Sequence, residues 1–164
     1  MLKNLAQVAS AAAERFGSKP ALVFEGRWFS FGEIDALACR LANALKGLGI
    51  KTGDRVTLYS GNCWEWIVSY YGILKIGAVV NPLNVMFTPP EVAYVARDCG
   101  ARAIVASADK GAALLDIKKD TPLEHVILFG AEAPAGARAF EDLTGKGKDT
   151  FKSPNVETDA LSTI

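Results

Sequence analysis

Apolar residues near the start of the chain recur at three- and four-residue steps, which is the spacing of one helix face. They are Leu2, Leu5, Val8, Ala12 and Phe16. The pattern predicts an amphipathic helix over residues 2–16 that ends at Gly17. Two short apolar runs follow, at 21–24 and 27–29. Because a Glu-Gly pair separates them and glycine accepts a positive φ, these runs predict a β-hairpin.

The next helix carries its own start signal. Ser30 followed by Glu33 forms a capping box, in which each side chain accepts from the backbone N–H of the other residue. Apolar residues then share one helix face, at Ile34, Leu37, Leu41, Leu45 and Leu48. Glycines at 47 and 49 end this helix. The apolar run at 55–59 that follows them is typical of a buried strand.

The same order of helix and strand repeats further along the chain. Asn62 with Glu65 predicts a second capping box at the start of a helix. The apolar face of that helix is Ile67, Tyr70, Tyr71 and Leu74. A short strand is expected at 78–80. The run Thr88-Pro89-Pro90-Glu91 combines a cap, an early proline and a third-position glutamate, which predicts a helix that ends at Gly100.

Two more apolar strands are expected at 103–106 and 125–129, with a weaker helix at 110–117 between them. Strands thus alternate with helices four times. This alternation indicates an α/β fold, with a mostly parallel sheet that is covered by helices on both faces.

The end of the chain has a different pattern. Residues 130–164 show no strong period and are dominated by Gly, Ala, Pro, Thr, Lys and Asp. Only the segment 140–143 predicts a turn of helix. We therefore expect an α/β subdomain over residues 1–129, followed by an irregular tail over 130–164 that has no packing partner.

The composition narrows the range of partners. The 164 residues contain 18 Lys and Arg against 18 Asp and Glu, so there is no positive excess for nucleic acid or an anionic membrane surface. No apolar run is long enough to span a bilayer, and no signal peptide is evident, so a cytoplasmic location is expected. Cys39, Cys63 and Cys99 lack C-x-x-C spacing and are interpreted as free, buried thiols.

A search for catalytic motifs finds no complete constellation. The run Gly145-Lys146-Gly147-Lys148 resembles a phosphate loop in composition only, because the earlier glycine and the following Ser or Thr are missing. The glycines at 47, 49 and 53 follow a helix, whereas a dinucleotide fingerprint follows a strand. His125 is the only histidine, which excludes two-histidine metal motifs, and we interpret it as structural.

Carboxylates and aromatic residues give no stronger signal. The acidic residues Glu14, Glu25, Glu33, Asp35, Glu65 and Glu91 are scattered along the chain. Nothing in their spacing pairs two of them as acid and base. The aromatic residues Trp64, Trp66, Tyr70 and Tyr71 are interpreted as core packing rather than a ligand cage. No catalytic, cofactor-binding or metal-binding residue is therefore assigned.

Five segments, in order and with the expected gaps, resemble motifs of adenylate-forming enzymes, the family of acyl-CoA synthetases, luciferases and peptide-synthetase adenylation domains. They are 29–34, 53–56, 74–84, 88–91 and 98–102. The segment 74–84 is similar to the motif L-K-x-G-A-x-x-x-P-L/V-N/D. Asn81 and Asn84 within it resemble the acyl-CoA synthetase branch.

The resemblance implies an enzyme that activates a fatty or aromatic carboxylic acid with ATP and Mg²⁺ to an acyl-adenylate, and then transfers the acyl group to coenzyme A. It places this chain in the N-terminal subdomain of the family's large domain. Asp159–Ile164 is similar to the stretch that precedes the family's phosphate loop. We therefore expect an N-terminal fragment that is inactive by itself, with ATP, Mg²⁺ and CoA needed only by the full-length ligase.

Two other interpretations stay open. The chain could be a free-standing, non-catalytic α/β binding or interaction module. It could also be a small flavodoxin-like or nucleotide-binding domain, with its ligand at the point where the strand order reverses. In the fragment interpretation, apolar faces without a partner predict that the isolated chain associates with itself.

Overall fold

The computed structural model describes residues 4–164. The first helix, α1 (Val8–Phe16), follows a single 3-10 turn at Leu5–Gln7. It ends at Gly17, whose φ of 52° reverses the chain. The predicted helix end at Gly17 is confirmed, and the first residues of the predicted helix, 2 and 3, lie outside the described part of the chain.

The other helices are α2 (Phe31–Gly47), α3 (Trp64–Lys75), α4 (Pro89–Cys99), α5 (Gly111–Ile117) and α6 (Phe140–Gly145). The strands are β1 (Pro20–Phe24), β2 (Arg27–Ser30), β3 (Arg55–Tyr59), β4 (Val79–Pro82), β5 (Ala101–Ser107), β6 (His125–Phe129) and β7 (Arg138–Ala139). None of these helices is long and apolar enough to cross a membrane.

The last five strands form one parallel sheet in the order β4-β3-β5-β6-β7. The predicted α/β class with a parallel sheet is confirmed. Side chains alternate across the strands, as the two-residue period of a strand requires. Val56, Ala103 and Ile127 face a core shared with α2, α3 and α6, whereas Ile104 and Val126 face a second core under α4 and α5.

The hairpin β1-β2 stands apart from the main sheet. Its turn residues Glu25 and Gly26 have φ of 48° and 79°, so glutamate shares the left-handed conformation that the sequence pattern assigned to glycine alone. Two positive φ values match the twist of a tight hairpin. Phe29 on the inner face of β2 is fully buried and fastens the hairpin to the first core.

The capping residues predicted from the sequence are found at the starts of α2 and α4, but not at the start of α3. Ser30 and Glu33 form the predicted capping box at α2, with N–H···O distances of 2.7 and 3.1 Å. At α4, the Glu91 carboxylate accepts from the backbone N–H of Thr88, as expected. The predicted box of Asn62 with Glu65 is wrong: Cys63 is the N-cap of α3, and its Sγ accepts from the backbone N–H of Trp66.

The tail has packing partners, contrary to expectation. Strand β7 pairs with β6, and α6 packs against α2 and β6, so the predicted helical turn at 140–143 is confirmed. The segment after α6 contains no further helix. We call residues 146–164 the strap, because it runs along the domain and ends beside β4, where Thr163 pairs with Val80.

Candidate functional site at the carboxyl edge of the sheet

The strand order locates the place where an open α/β sheet binds ligands. After β3 the chain moves outward to β4, then returns past β3 to β5 and continues in the opposite direction. Ligands bind at such a reversal, outside the carboxyl ends of the strands. In this protein the reversal lies between the ends of β3 and β5. The turns at 60–63 and 107–110 border it.

One cation lies at this crevice. The Lys110 ammonium is 4.7 Å from the centre of the Tyr59 ring and 3.7 Å from the Asp109 carboxylate. A hydrogen bond from the Ser107 side chain lowers the pKa of Asp109. Because Asp109 keeps its negative charge, it partly offsets the charge of Lys110. The crevice offers one partly compensated positive charge, which can attract an anion but supplies no acid–base pair.

The thiol nearest the crevice is not an activated nucleophile. Burial raises the pKa of Cys63 above its ordinary value, so the thiol stays protonated at neutral pH. Burial also raises the pKa of Glu65, one helical position beyond Trp64. Cys39 and Cys99 have raised pKa values for the same reason. All three cysteines are free, as predicted; Cys39 is buried and the other two are half-buried.

The aromatic cluster at the start of α3 packs into the protein. Trp64 stacks on Phe29 with ring centres 5.2 Å apart and meets Phe140 edge-on at 5.9 Å. The Arg27 guanidinium covers the Phe29 ring at 4.2 Å. Trp66 stacks on Tyr70 at 5.4 Å. The prediction of core packing is confirmed, because these rings pack against the first core.

Several residues of the sequence motifs lie at the opposite, amino edge of the sheet. Arg102 at the start of β5 forms ion pairs of 2.6 Å with Asp54 and 2.7 Å with Glu124. It also donates to the carbonyl of Gly49 at 3.0 Å. These hydrogen bonds raise the pKa of Arg102 and lower the pKa of Glu124. Arg102 therefore ties the beginnings of β3 and β5 to the segment before β6.

Arg55 forms a second brace at this edge. Its guanidinium donates to the carbonyls of Cys99 and Gly100, at the end of α4, and to the carbonyl of Gly53. Gly100 has a φ of 63°, and a Cβ there would lie 2.6 Å from Arg55 Nη2. The glycine thus ends α4 and leaves space for the arginine that holds it.

A buried ion pair completes the amino edge. Lys75 at the end of α3 is fully buried, and its Nζ lies 2.6 Å from Asp35 Oδ1 on α2 and 2.6 Å from Ser10 Oγ on α1. Sequence reasoning missed this contact and treated Asp35 as one of several scattered carboxylates. The available signal was a lysine inside the apolar run at 73–80.

The remaining sequence candidates lie apart from one another. His125 Nε2 is 2.9 Å from the carbonyl of Leu48, which is a structural contact. The glycine- and lysine-containing run 145–148 begins the exposed part of the strap. Glu33 and Glu91 are used in helix caps. Within residues 4–164, no three His, Cys, Asp or Glu side chains are grouped closely enough to hold a metal ion.

Comparisons with known proteins agree with this fold. The family model described as AMP-binding enzyme matches residues 9–164. A crotonobetaine/carnitine–CoA ligase of Salmonella paratyphi A is 34% identical over 172 residues, covering 99% of this chain and 33% of the ligase. The corresponding ligase of Salmonella typhimurium is also 34% identical, with the same coverage.

Solved structures of ligases share this fold. An anthranilate CoA ligase in complex with anthranoyl-AMP matches with a TM-score of 0.92 and 28% identity, over 98% of this chain and 31% of that one. Coronafacic acid ligase from Pectobacterium brasiliense matches with a TM-score of 0.88 and 25% identity, over 98% and 33%. The chain thus spans about a third of the length of these relatives. Since the family model matches nearly all of it, the chain belongs to the AMP-binding enzyme family.

Proposed function

We propose that this chain is the N-terminal part of an ATP-dependent acyl-CoA synthetase. The observation that carries the proposal is the match of residues 9–164 to the AMP-binding family model, together with CoA ligases at 34% identity over 99% of the chain. The reaction would join a carboxylate to ATP as an acyl-adenylate, release pyrophosphate, and then form a thioester with CoA. A fatty or aromatic carboxylic acid is the proposed substrate class.

We propose no site for ATP or Mg²⁺ among the described residues. Lys110 beside Tyr59 is the cation at the β3–β5 crevice, and residues 4–164 contain no group of three His, Cys, Asp or Glu side chains that could hold a metal ion. No catalytic step is assigned to this chain, and we propose that none of these residues is catalytic, cofactor-binding or metal-binding. In the proposal this chain supplies the scaffold, ATP, Mg²⁺ and CoA bind elsewhere in the full-length ligase, and the location is cytoplasmic.

The proposed division of the chain follows from the sizes of its elements. Residues 1–129 would form the α/β part, and residues 130–164 would connect it to the segment that carries the chemistry. After residue 129 the only elements in the described part of the chain are a two-residue strand and a six-residue helix. The contacts of these elements support a connection that is fastened to the domain rather than a loose linker.

The test is ATP–pyrophosphate exchange over a panel of carboxylic acids. It is measured on this chain and on a full-length ligase that contains this chain as its N-terminal part. We expect exchange only for the longer protein, and only with some acids. Exchange by this chain alone would contradict its proposed inactivity, and the absence of exchange with every acid for the longer protein would contradict the ligase proposal.

A second candidate function is a non-catalytic binding module with its ligand at the β3–β5 crevice. The reversal of strand order and Lys110 beside Tyr59 favour it. Titration with nucleotides and flavins tests it, with Lys110→Ala as the variant and Lys119→Ala as the control for loss of an exposed lysine. Saturable micromolar binding that Lys110→Ala weakens at least tenfold would support the module, and no binding would exclude it.

Self-association is also part of the proposal. Apolar side chains with large exposed fractions include Trp28 at 63%, Tyr94 at 65% and Met86 at 80%. Val23 pairs with Trp28 across the hairpin and is exposed as well. Exposed apolar surface of this kind favours association. Light scattering at rising concentration should show a dimer, and a monomer throughout would contradict this part of the proposal.

A further inference from the structure

The strap is fastened to the domain at its beginning by Asn43. The side-chain Nδ2 of this α2 residue donates to the carbonyls of Lys148 and Thr150, each at 3.0 Å, and shares its two hydrogens with the carbonyl of Cys39 within α2 at 2.9 Å. Phe151 then packs against the first core. A single amide that satisfies two carbonyls of an irregular segment fixes the direction in which that segment leaves α6.

The middle of the strap passes over a glycine. Gly77 has a φ of 73°, and a Cβ there would lie 3.0 Å from Val156 Cγ2 and 3.0 Å from the Thr52 side chain. The carbonyl of Val156 accepts from the Asn4 side chain at 3.0 Å. Glycine at this position therefore allows the positive φ of the turn after α3, and it leaves space for the strap to pass close to the backbone.

The end of the strap adds to the main sheet. The Val80 N–H donates to the carbonyl of Ser162 at 2.9 Å, and the Ile164 N–H donates to the carbonyl of Val80 at 3.0 Å. The pairing is parallel to β4. Because all strands of this sheet run in one direction, a residue after Ile164 would emerge at the carboxyl edge, the same edge as the turn at 60–63.

A single bridge held by two backbone hydrogen bonds is a weak attachment by itself. A side-chain contact strengthens it: the Tyr70 hydroxyl on α3 lies 3.2 Å from Thr163 Oγ1. The Tyr70 ring is held in place by its stack on Trp66. This contact selects the register in which Thr163 faces α3, because a shift of one residue would turn its side chain to the other face of the sheet.

We propose that Tyr70 and Asn43 are positioning residues for the end of the strap. Asn43 holds the beginning of the strap at residues 148–150, and Tyr70 holds its end at Thr163 against β4, so that any chain beyond Ile164 would be delivered in one register to the carboxyl edge of the sheet. The inference rests on the proposed function, in which the residues beyond Ile164 complete the catalytic site. Tyr70 itself touches only protein groups and would act through the strap.

Amide hydrogen exchange in this chain tests the positioning directly. The Val80 N–H reports on the strap, and the neighbouring Val79 N–H, which donates to the carbonyl of Asp54, reports on the sheet. Tyr70→Phe should speed exchange at Val80 about fivefold, the effect of losing one hydrogen bond, and leave Val79 unchanged. Asn43→Ala should act in the same direction.

Tyr71→Phe is the matched control. Tyr71 is also a half-buried α3 tyrosine, and its hydroxyl has no hydrogen bond to the described residues. Exchange at Val80 that is equal in Tyr70→Phe and Tyr71→Phe would overturn the proposal. So would Val80 and Val79 accelerating together, since that result would mean loss of the whole sheet and no specific effect on the strap.

A second measurement links the contact to chemistry. In the longer protein, Tyr70→Phe should lower kcat for ATP–pyrophosphate exchange severalfold without changing KM for the acid, and Tyr71→Phe should change neither. Equal kcat in the two variants would overturn the catalytic part of the inference. If the unchanged longer protein shows no exchange, the ligase proposal fails, while the amide exchange of this chain still decides whether Tyr70 positions the strap.

Discussion

The two edges of the parallel sheet are built differently. At the amino edge, Arg102, Arg55 and Lys75 each bind two or more partners from different elements. At the carboxyl edge, the turn at 60–63 and the loop at 84–87 are mostly exposed, and Lys110 has one carboxylate 3.7 Å away.

This difference shows what the recognisable motifs of the sequence do in this chain. Asp54, Arg102, Lys75 and Gly77 belong to the segments that resemble the family, and all of them lie at the braced edge. Their contacts hold the strands in place at the amino edge of the sheet. None of these four residues lies at the β3–β5 crevice, where ligands of α/β sheets bind.

The largest effect is expected from breaking the buried ion pair at the braced edge. Lys75→Met leaves the Asp35 carboxylate, which is 17% exposed, without its cation. Because Asp35 is only partly buried, the cost lies below that of a fully buried unpaired charge, and the free energy of unfolding should fall by about 2–3 kcal/mol in urea titrations.

The double variant Lys75→Met/Asp35→Leu is the control. Replacing both charges by apolar groups removes the unpaired carboxylate and should restore most of the lost stability. If Lys75→Met alone costs less than about 1 kcal/mol, a value typical of surface pairs, the braced edge does not depend on this contact.

Alanine variants at two glycines, one at each edge, distinguish the cost of a left-handed backbone from the cost of a close contact. Gly77 at the amino edge and Gly130 after β6 have φ of 73° and 88°, but only at Gly77 would an added Cβ meet other atoms within 4 Å. Both alanine variants carry a left-handed backbone cost of about 1–2 kcal/mol. Gly77→Ala should lower the thermal midpoint of unfolding more than Gly130→Ala does. Equal midpoints would show that the strap can move away from the added Cβ without loss of stability.

A smaller, pH-dependent effect is expected at Arg102. Its ion pair lowers the pKa of Glu124 from an ordinary value of 4.5, so the stabilisation is present above pH 4.5 and is lost as the pH falls through the lowered pKa. Arg102→Gln should cost no more than about 1 kcal/mol at pH 7, because the pair is partly exposed.

The pH profile distinguishes this pair from a simple change in net charge. The stability difference between the parent chain and Arg102→Gln should shrink as the pH falls below 4.5. Arg138→Gln removes the same charge from an exposed residue that has no ion pair in residues 4–164. A difference that is independent of pH, or identical for the two variants, would contradict the role of Arg102.

The smallest effect is expected at the start of α3, near the open edge. Because Cys63 is the N-cap, Cys63→Ser should stabilise the protein by up to about 1 kcal/mol, since a hydroxyl is a better cap than a thiol. Asn62→Ala at the exposed neighbouring position should change stability by less than about 0.5 kcal/mol. A larger loss of unfolding free energy in Asn62→Ala, measured by urea titration, would show that Asn62 is the N-cap of α3.

Much of the architecture could be predicted because its signals are local. The capping box of Ser30 with Glu33 and the alternation of apolar runs depend on residues close together in sequence, and both are found as expected. Asn62 shows the limit of such signals. Two adjacent residues could each cap α3, and the path of the chain after β3 decided between them.

The candidate site was less predictable than the fold. The apolar residues around Lys75 are a sign of its burial, but nothing in the sequence identifies Asp35 as its partner. The hydrogen bond between Tyr70 and Thr163 also could not be predicted, because the two residues are 93 positions apart in the sequence. The Lys75 contacts join three helices, and the Tyr70 contact joins α3 to the strap. No short window of sequence contains both partners of such a contact.

The sequence by itself determined the class of fold, the boundaries of most helices and strands, and the neutral charge that argues against nucleic-acid binding. These follow from side-chain period, caps and composition, which act over a few residues. The tertiary structure alone decided the strand order, the braced amino edge and the path of the strap. Those depend on contacts between residues that are far apart in the chain, such as the pairing of Val80 in β4 with Thr163, and local patterns carry no information about such contacts.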